Sequence, residues 1–148
     1  MTTATHHPLT RPDSRFQTLL PAPVAYTVGV VGAIGTVLLG LPDELGLVLG
    51  CIGVAGLYSV YPVFSLLWGD SRERATEVGY LLLGVLVIAL AVAVDPRWLA
   101  LGWLLHGCWD LLHHRDHHKV GLRGIPLWYV QACLAWDFPA AVGLFLVL

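Results

Sequence analysis

The sequence predicts an all-α, polytopic membrane protein, a bundle of five transmembrane helices, and three observations carry that prediction. Of its 148 residues, 57% are hydrophobic and only 12% charged, about half the charged fraction of an ordinary soluble domain. The apolar residues fall into runs long enough to cross a hydrocarbon core of about 30 Å. Five spans also sort the cations: Arg11, Arg15, Arg72, Arg74, Arg115, Lys119 and Arg123 share one side, leaving Arg97 on the other. Removing the fourth span would divide them evenly. By the positive-inside rule the N-terminus is then cytoplasmic and the C-terminus outside, in a multi-pass protein of the cell membrane.

The elements follow in order. Residues 1–20 are rich in Thr, Pro and His and read as a mobile cytoplasmic tail. No apolar core with a small-residue cleavage site precedes Arg11 and Arg15, so the tail is not a signal peptide. Residues 21–148 form a single transmembrane domain with spans at about 22–41, 45–68, 78–94, 98–114 and 126–148. Trp68, Trp98 and Trp128 fall at span ends, where aromatic belts sit. Gly29, Gly32 and Gly35, and the pair Gly46 and Gly50, have spacings that permit close helix packing. A net charge of −2 excludes a nucleic-acid binder, and three scattered cysteines make no disulfide framework. There is no Gly-rich phosphate loop and no Gly-x-Ser-x-Gly elbow.

The informative feature is polar. Five of the seven histidines lie within thirteen residues, in His106-Gly-Cys-Trp-Asp110-Leu-Leu-His113-His114-Arg-Asp-His117-His118. At 100° per residue His106, Asp110, His113 and His117 share an arc of roughly 60°, with His114 beside it. Asp137 lies eleven residues into the fifth span, roughly 16 Å from Pro126, at nearly the depth of His106. A carboxylate there costs about 2.5 to 3.5 kcal/mol, so Asp110 and Asp137 should face the interior and be paired. Pro139 cannot donate to the carbonyl of Ala135, which weakens the helix beside that acid.

Neutral imidazoles and carboxylates are usual ligands of zinc and iron, and i, i+4 spacing lets one helix supply two. The candidate metal ligands are therefore His106, Asp110, His113, His114, His117 and Asp137, with Cys133, one turn before Asp137, as a lesser thiolate candidate. Glu77 and Asp137 are the candidate groups for proton transfer. Zinc would imply a hydrolase and iron an oxidase, acting on a lipid or other apolar small molecule. Two alternatives remain open: the same ladder could relay protons or ions, or the polar residues could be structural in a membrane assembly subunit.

The segment from His106 to Leu146, with His-x-x-Trp-Asp-x-x-His-His, Gly124-Ile125-Pro126 and Cys133-x-x-x-Asp137, resembles a family of small bacterial and fungal membrane proteins known only as a domain of unknown function. That resemblance implies that His106, Trp109, Asp110, His113, His114, Cys133 and Asp137 are signature positions, and it implies no activity. His117-His118 departs from the pattern. The stretch His114 to His118 also resembles the HxxHH box of membrane di-iron hydroxylases and desaturases, which use three such boxes. The ligand types match those of membrane hydrolases related to alkaline ceramidases, in a different order; both are analogies of chemistry.

Overall fold

A computed structural model describes residues 14–40, 43–113 and 125–148. These residues form six helices: α1 (Ser14–Gln17), α2 (Ala22–Leu39), α3 (Glu44–Trp68), α4 (Ser71–Ala93), α5 (Trp98–His113) and α6 (Leu127–Val147). No strand occurs among the described residues. Local chemistry sets the boundaries. Pro21 precedes α2, whose first turn holds Pro23, where a missing N–H costs nothing. Asp43 caps α3 by accepting from the Gly46 amide at 2.7 Å. Asp70 caps α4 through the amides of Arg72 and Glu73, while the Glu73 carboxylate accepts from the Asp70 amide at 2.6 Å, a reciprocal capping box. That box starts α4 seven residues before the expected 78, because the cap overrides the charges that follow it.

α2, α3, α4 and α6 are long and apolar enough to cross a membrane. The expected count of five is corrected to four among the described residues. α5 has 16 residues, a length of about 24 Å, short of a hydrocarbon core of roughly 30 Å. It carries His106 and Asp110 and leans on protein for its stability: it lies along α6 and also touches α4 and α3.

The molecule is apolar outside and polar within. Val31, Ile34, Leu38, Ile52, Leu66, Leu82, Val92 and Leu146 are exposed, whereas Glu77, His106, Asp110 and Asp137 are completely buried. A lipid-facing surface accounts for both, since hydrocarbon accepts the first set and excludes the second.

α2 lies along α6 for most of its length and barely touches α3. Close approach is made by glycine: a Cβ on Gly29 would meet the Ala132 carbonyl oxygen, and one on Gly32 would lie 2.5 Å from the Trp136 ring. Trp136 also donates its indole N–H to Thr36 Oγ1 at 2.8 Å. On α3, Gly50 packs closely as expected, since a Cβ there would lie 2.5 Å from Leu99 Cδ1, while Gly53 and Gly56 leave space and line a cavity. Part of the expected tail is docked: Phe16 sits against Phe64, Trp68 and Trp128, and its carbonyl accepts from the Trp128 indole at 2.8 Å.

Candidate metal centre

α5 and α6 run together, and the contact is close because Gly107 faces α6. A Cβ there would lie 3.1 Å from the Cβ of Asp137. His106 and Asp110 stand one turn apart on α5, and Cys133 and Asp137 one turn apart on α6. The two pairs face each other: one donor atom from each of the four residues lies within 4.8 Å of the other three, and all four residues are buried.

The spacing distinguishes coordination from hydrogen bonding. His106 Nε2 is 3.7 Å from Asp110 Oδ1 and 3.9 Å from Asp137 Oδ2, beyond the 2.7 to 3.2 Å of an N–H···O bond. His106 Nε2 has no hydrogen-bond partner, and Asp110 Oδ2 and the oxygens of Asp137 receive no hydrogen bond from any N–H or hydroxyl donor. Donors about 2.0 to 2.3 Å from a tetrahedral ion stand roughly 3.3 to 3.8 Å from one another, so small inward movements would close a coordination shell. Two ionised carboxylates would repel in this dry interior, so the pair holds either a cation or a shared proton, and Asp110 and Asp137 are within hydrogen-bond reach of each other.

Tyrosines hold this cluster from behind. Tyr80 on α4 places its hydroxyl 2.5 Å from His106 Nδ1. When that oxygen accepts the Nδ1 proton, the Nε2 lone pair is left pointing at the carboxylates, as a metal ligand requires. Tyr80 is held between Tyr58, at a ring separation of 4.4 Å, and Trp109, at 4.5 Å. On α3, Tyr61 donates its hydroxyl to Asp110 Oδ1, and Tyr58 donates to the Gly102 carbonyl at 3.0 Å. Exchanging Tyr80 for Phe should preserve the fold and weaken metal retention by about 10- to 100-fold, the usual effect of losing an outer-shell partner. Competition against a chromophoric chelator measures it, and unchanged affinity would remove Tyr80 from the account.

Glu77 and His113 form a separate buried pair. The His113 Nδ1 to Trp109 carbonyl distance is 2.9 Å; a carbonyl only accepts, so Nδ1 carries a proton. The Trp109 indole donates to Glu77 Oε2 at 3.2 Å. The remaining atoms, His113 Nε2 and Glu77 Oε1, face each other at 3.3 Å. Two lone pairs would repel there, so one proton or cation belongs between them.

Of the sequence candidates, His106, Asp110 and Asp137 thus lie in one cluster. His113 does not join it: it lies seven residues, roughly 10 Å, further along α5 than His106, and its ring turns to Glu77 on α4. Glu77 in turn sits with His113 and Trp109. His114 and His117 lie outside the described residues. Cys133 enters as the fourth donor, and its signal was the i, i+4 spacing to Asp137. Tyr80 was missed; its position one turn after Glu77 was the available sign. The chain matches no family model, and no curated protein or solved structure shows significant similarity to it.

Proposed function

We propose that this chain is an integral membrane metalloprotein in which His106, Asp110, Cys133 and Asp137 bind one divalent ion. The observation that carries the reading is the set of four buried donors from two helices, spaced for coordination, with a His106 Nε2 that no protein group satisfies. One imidazole, one sulfur and two carboxylates suit zinc, with iron the next choice; a thiolate disfavours magnesium and calcium. The proposal reads the chain as a multi-pass protein of the cell membrane, on its four long apolar helices. It also retains the motif's resemblance to the family of unknown function, which adds no activity.

Four protein donors in a tetrahedron make a closed, structural site, whereas a catalytic ion keeps a position for substrate. A metal-dependent hydrolase or oxidase acting on an apolar molecule therefore requires this ion to add a fifth ligand or release one donor. The ion would supply Lewis acidity there; Glu77 and His113, facing each other at 3.3 Å, are the groups that would hold or release a proton.

Metal analysis of the detergent-purified chain decides the reading. About one equivalent of zinc or iron per chain is expected in the wild type, with at least about a tenfold loss in His106→Ala and Asp137→Ala. A wild-type protein without stoichiometric metal, even after incubation with each ion, contradicts it. The Glu77–His113 pair favours one second reading, a proton conductor. In that case proteoliposomes should acidify under an imposed gradient and Glu77→Gln should stop it; no flux above empty liposomes excludes it.

A further inference from the structure

A cavity of about 380 Å³ lies between α3 and the face formed by α2, α5 and α6, within the range of small-molecule pockets. Its wall on α3 runs from Gly46 to Val60, a rise of about 21 Å at 1.5 Å per residue. The slot is long and narrow, a shape for a chain and not for a compact solute. Leu99 closes over Gly50, where a Cβ would lie 2.5 Å from its Cδ1, but beyond it the wall is open: a Cβ on Gly53 would lie 3.5 Å from the Trp103 ring, and one on Gly56 would meet nothing within 4 Å. Leu39 and Ile52, which also line the slot, are about 60% exposed, so it opens toward the apolar surroundings of the bundle.

The slot reaches the centre, because Cys133 lines it. It also holds one polar group that the protein leaves unused. Trp103 is only 3% exposed and its indole N–H has no acceptor, whereas the Tyr129 hydroxyl pairs with the Cys133 thiol. An indole N–H can only donate, and leaving it unpaired in an apolar wall costs free energy that an acceptor oxygen would recover. A plain hydrocarbon would not satisfy it.

We infer that this slot binds the acyl chain of a lipid, with the chain along Gly53 and Gly56 of α3 and its carbonyl oxygen accepting from the Trp103 indole, in the slot that Cys133 also lines. This substrate class rests on the metal reading only for the chemistry at Cys133; the binding itself rests on the slot. A free fatty acid and an ester-linked lipid share this chemistry.

The test uses the full chain in nanodiscs with two photoactivatable probes, a diazirine fatty acid and a phosphatidylcholine carrying the same acyl diazirine. Crosslinks are mapped by mass spectrometry. The expected result is labelling at the α3 wall and at Trp103, competed by unlabelled acyl lipid and reduced about tenfold by Gly56→Leu, a change the open space at this position accommodates. Gly53→Ala, with an ordinary contact to Trp103, provides the milder second variant. Labelling by the fatty acid alone identifies a free acid as the occupant, and labelling by the phospholipid identifies an ester; either supports the inference. Labelling confined to lipid-facing residues such as Leu66, unchanged by Gly56→Leu, overturns it. Metal content in the same samples separates the two readings: metal without slot labelling defeats only this inference, and slot labelling without metal defeats only the metalloprotein.

Discussion

Stripping the wild-type protein with a strong chelator is expected to lower its thermal midpoint in detergent by about 10 °C, and the same treatment should leave Asp137→Ala unchanged. An ion that binds only the folded chain stabilises it by roughly 4 kcal/mol when present at a thousand times its dissociation constant. For a chain of this size each kcal/mol moves the midpoint by about 2 to 4 °C. The effect should be large because the apo centre is unfavourable in itself. His106 Nε2 has no hydrogen-bond partner, and Asp110 and Asp137, each facing His106 at less than 4 Å, can satisfy one another only by sharing a proton. Asp137→Ala removes one donor and one of the two carboxylates, so its midpoint should already sit near that of the stripped wild type. A wild-type midpoint indifferent to chelator and to added zinc or iron would mean that the cluster is held by protein contacts alone.

Gly29→Leu should destabilise the bundle by roughly 3 kcal/mol, at the upper end for overpacking, or prevent its recovery in folded form. The glycine allows α2 to lie on α6: an added Cβ would overlap the Ala132 carbonyl oxygen and stand 2.7 Å from the Cβ of Ala135. The obstructing atoms are backbone and a methyl group, neither of which can rotate away. α2 would have to lift off, opening the contact of Gly32 with Trp136 and the Thr36–Trp136 hydrogen bond. Gly35→Leu is the control, since nothing lies within 4 Å of its added Cβ, and its effect should stay within about 0.5 kcal/mol. Denaturant unfolding of both variants provides the comparison. Equal stabilities would show that α2 is not seated as described.

The helices were legible because uncharged runs and their breaks at Asp43, Asp70 and Asp95 are written directly in composition. Boundaries were less so. The start of α4 at Ser71 depends on the reciprocal bonds of Asp70 and Glu73, and a charge-based reading places Glu73 outside the span. The pairing of α5 with α6 was partly legible, since His106 and Asp137 have matching depths. What periodicity could not tell is which neighbour each side chain of α5 meets. His113 shares the helical face of His106, yet the Trp109 carbonyl fixes its ring toward Glu77. The glycine stripe of α3 shows the same limit: small residues permit close approach, but whether a helix fills the space depends on the partner. At Gly29 the backbone of α6 fills it; at Gly56 nothing does.

X-ray absorption at the metal edge of the purified protein tests the central claim most directly, because it reads the donors themselves. The account predicts one sulfur near 2.3 Å with nitrogen and oxygen donors at about 2.0 to 2.2 Å, the sulfur signal vanishing in Cys133→Ser and the imidazole scattering in His106→Ala. A metal shell without sulfur or imidazole, or one that survives both substitutions unchanged, would place the ion elsewhere and contradict it.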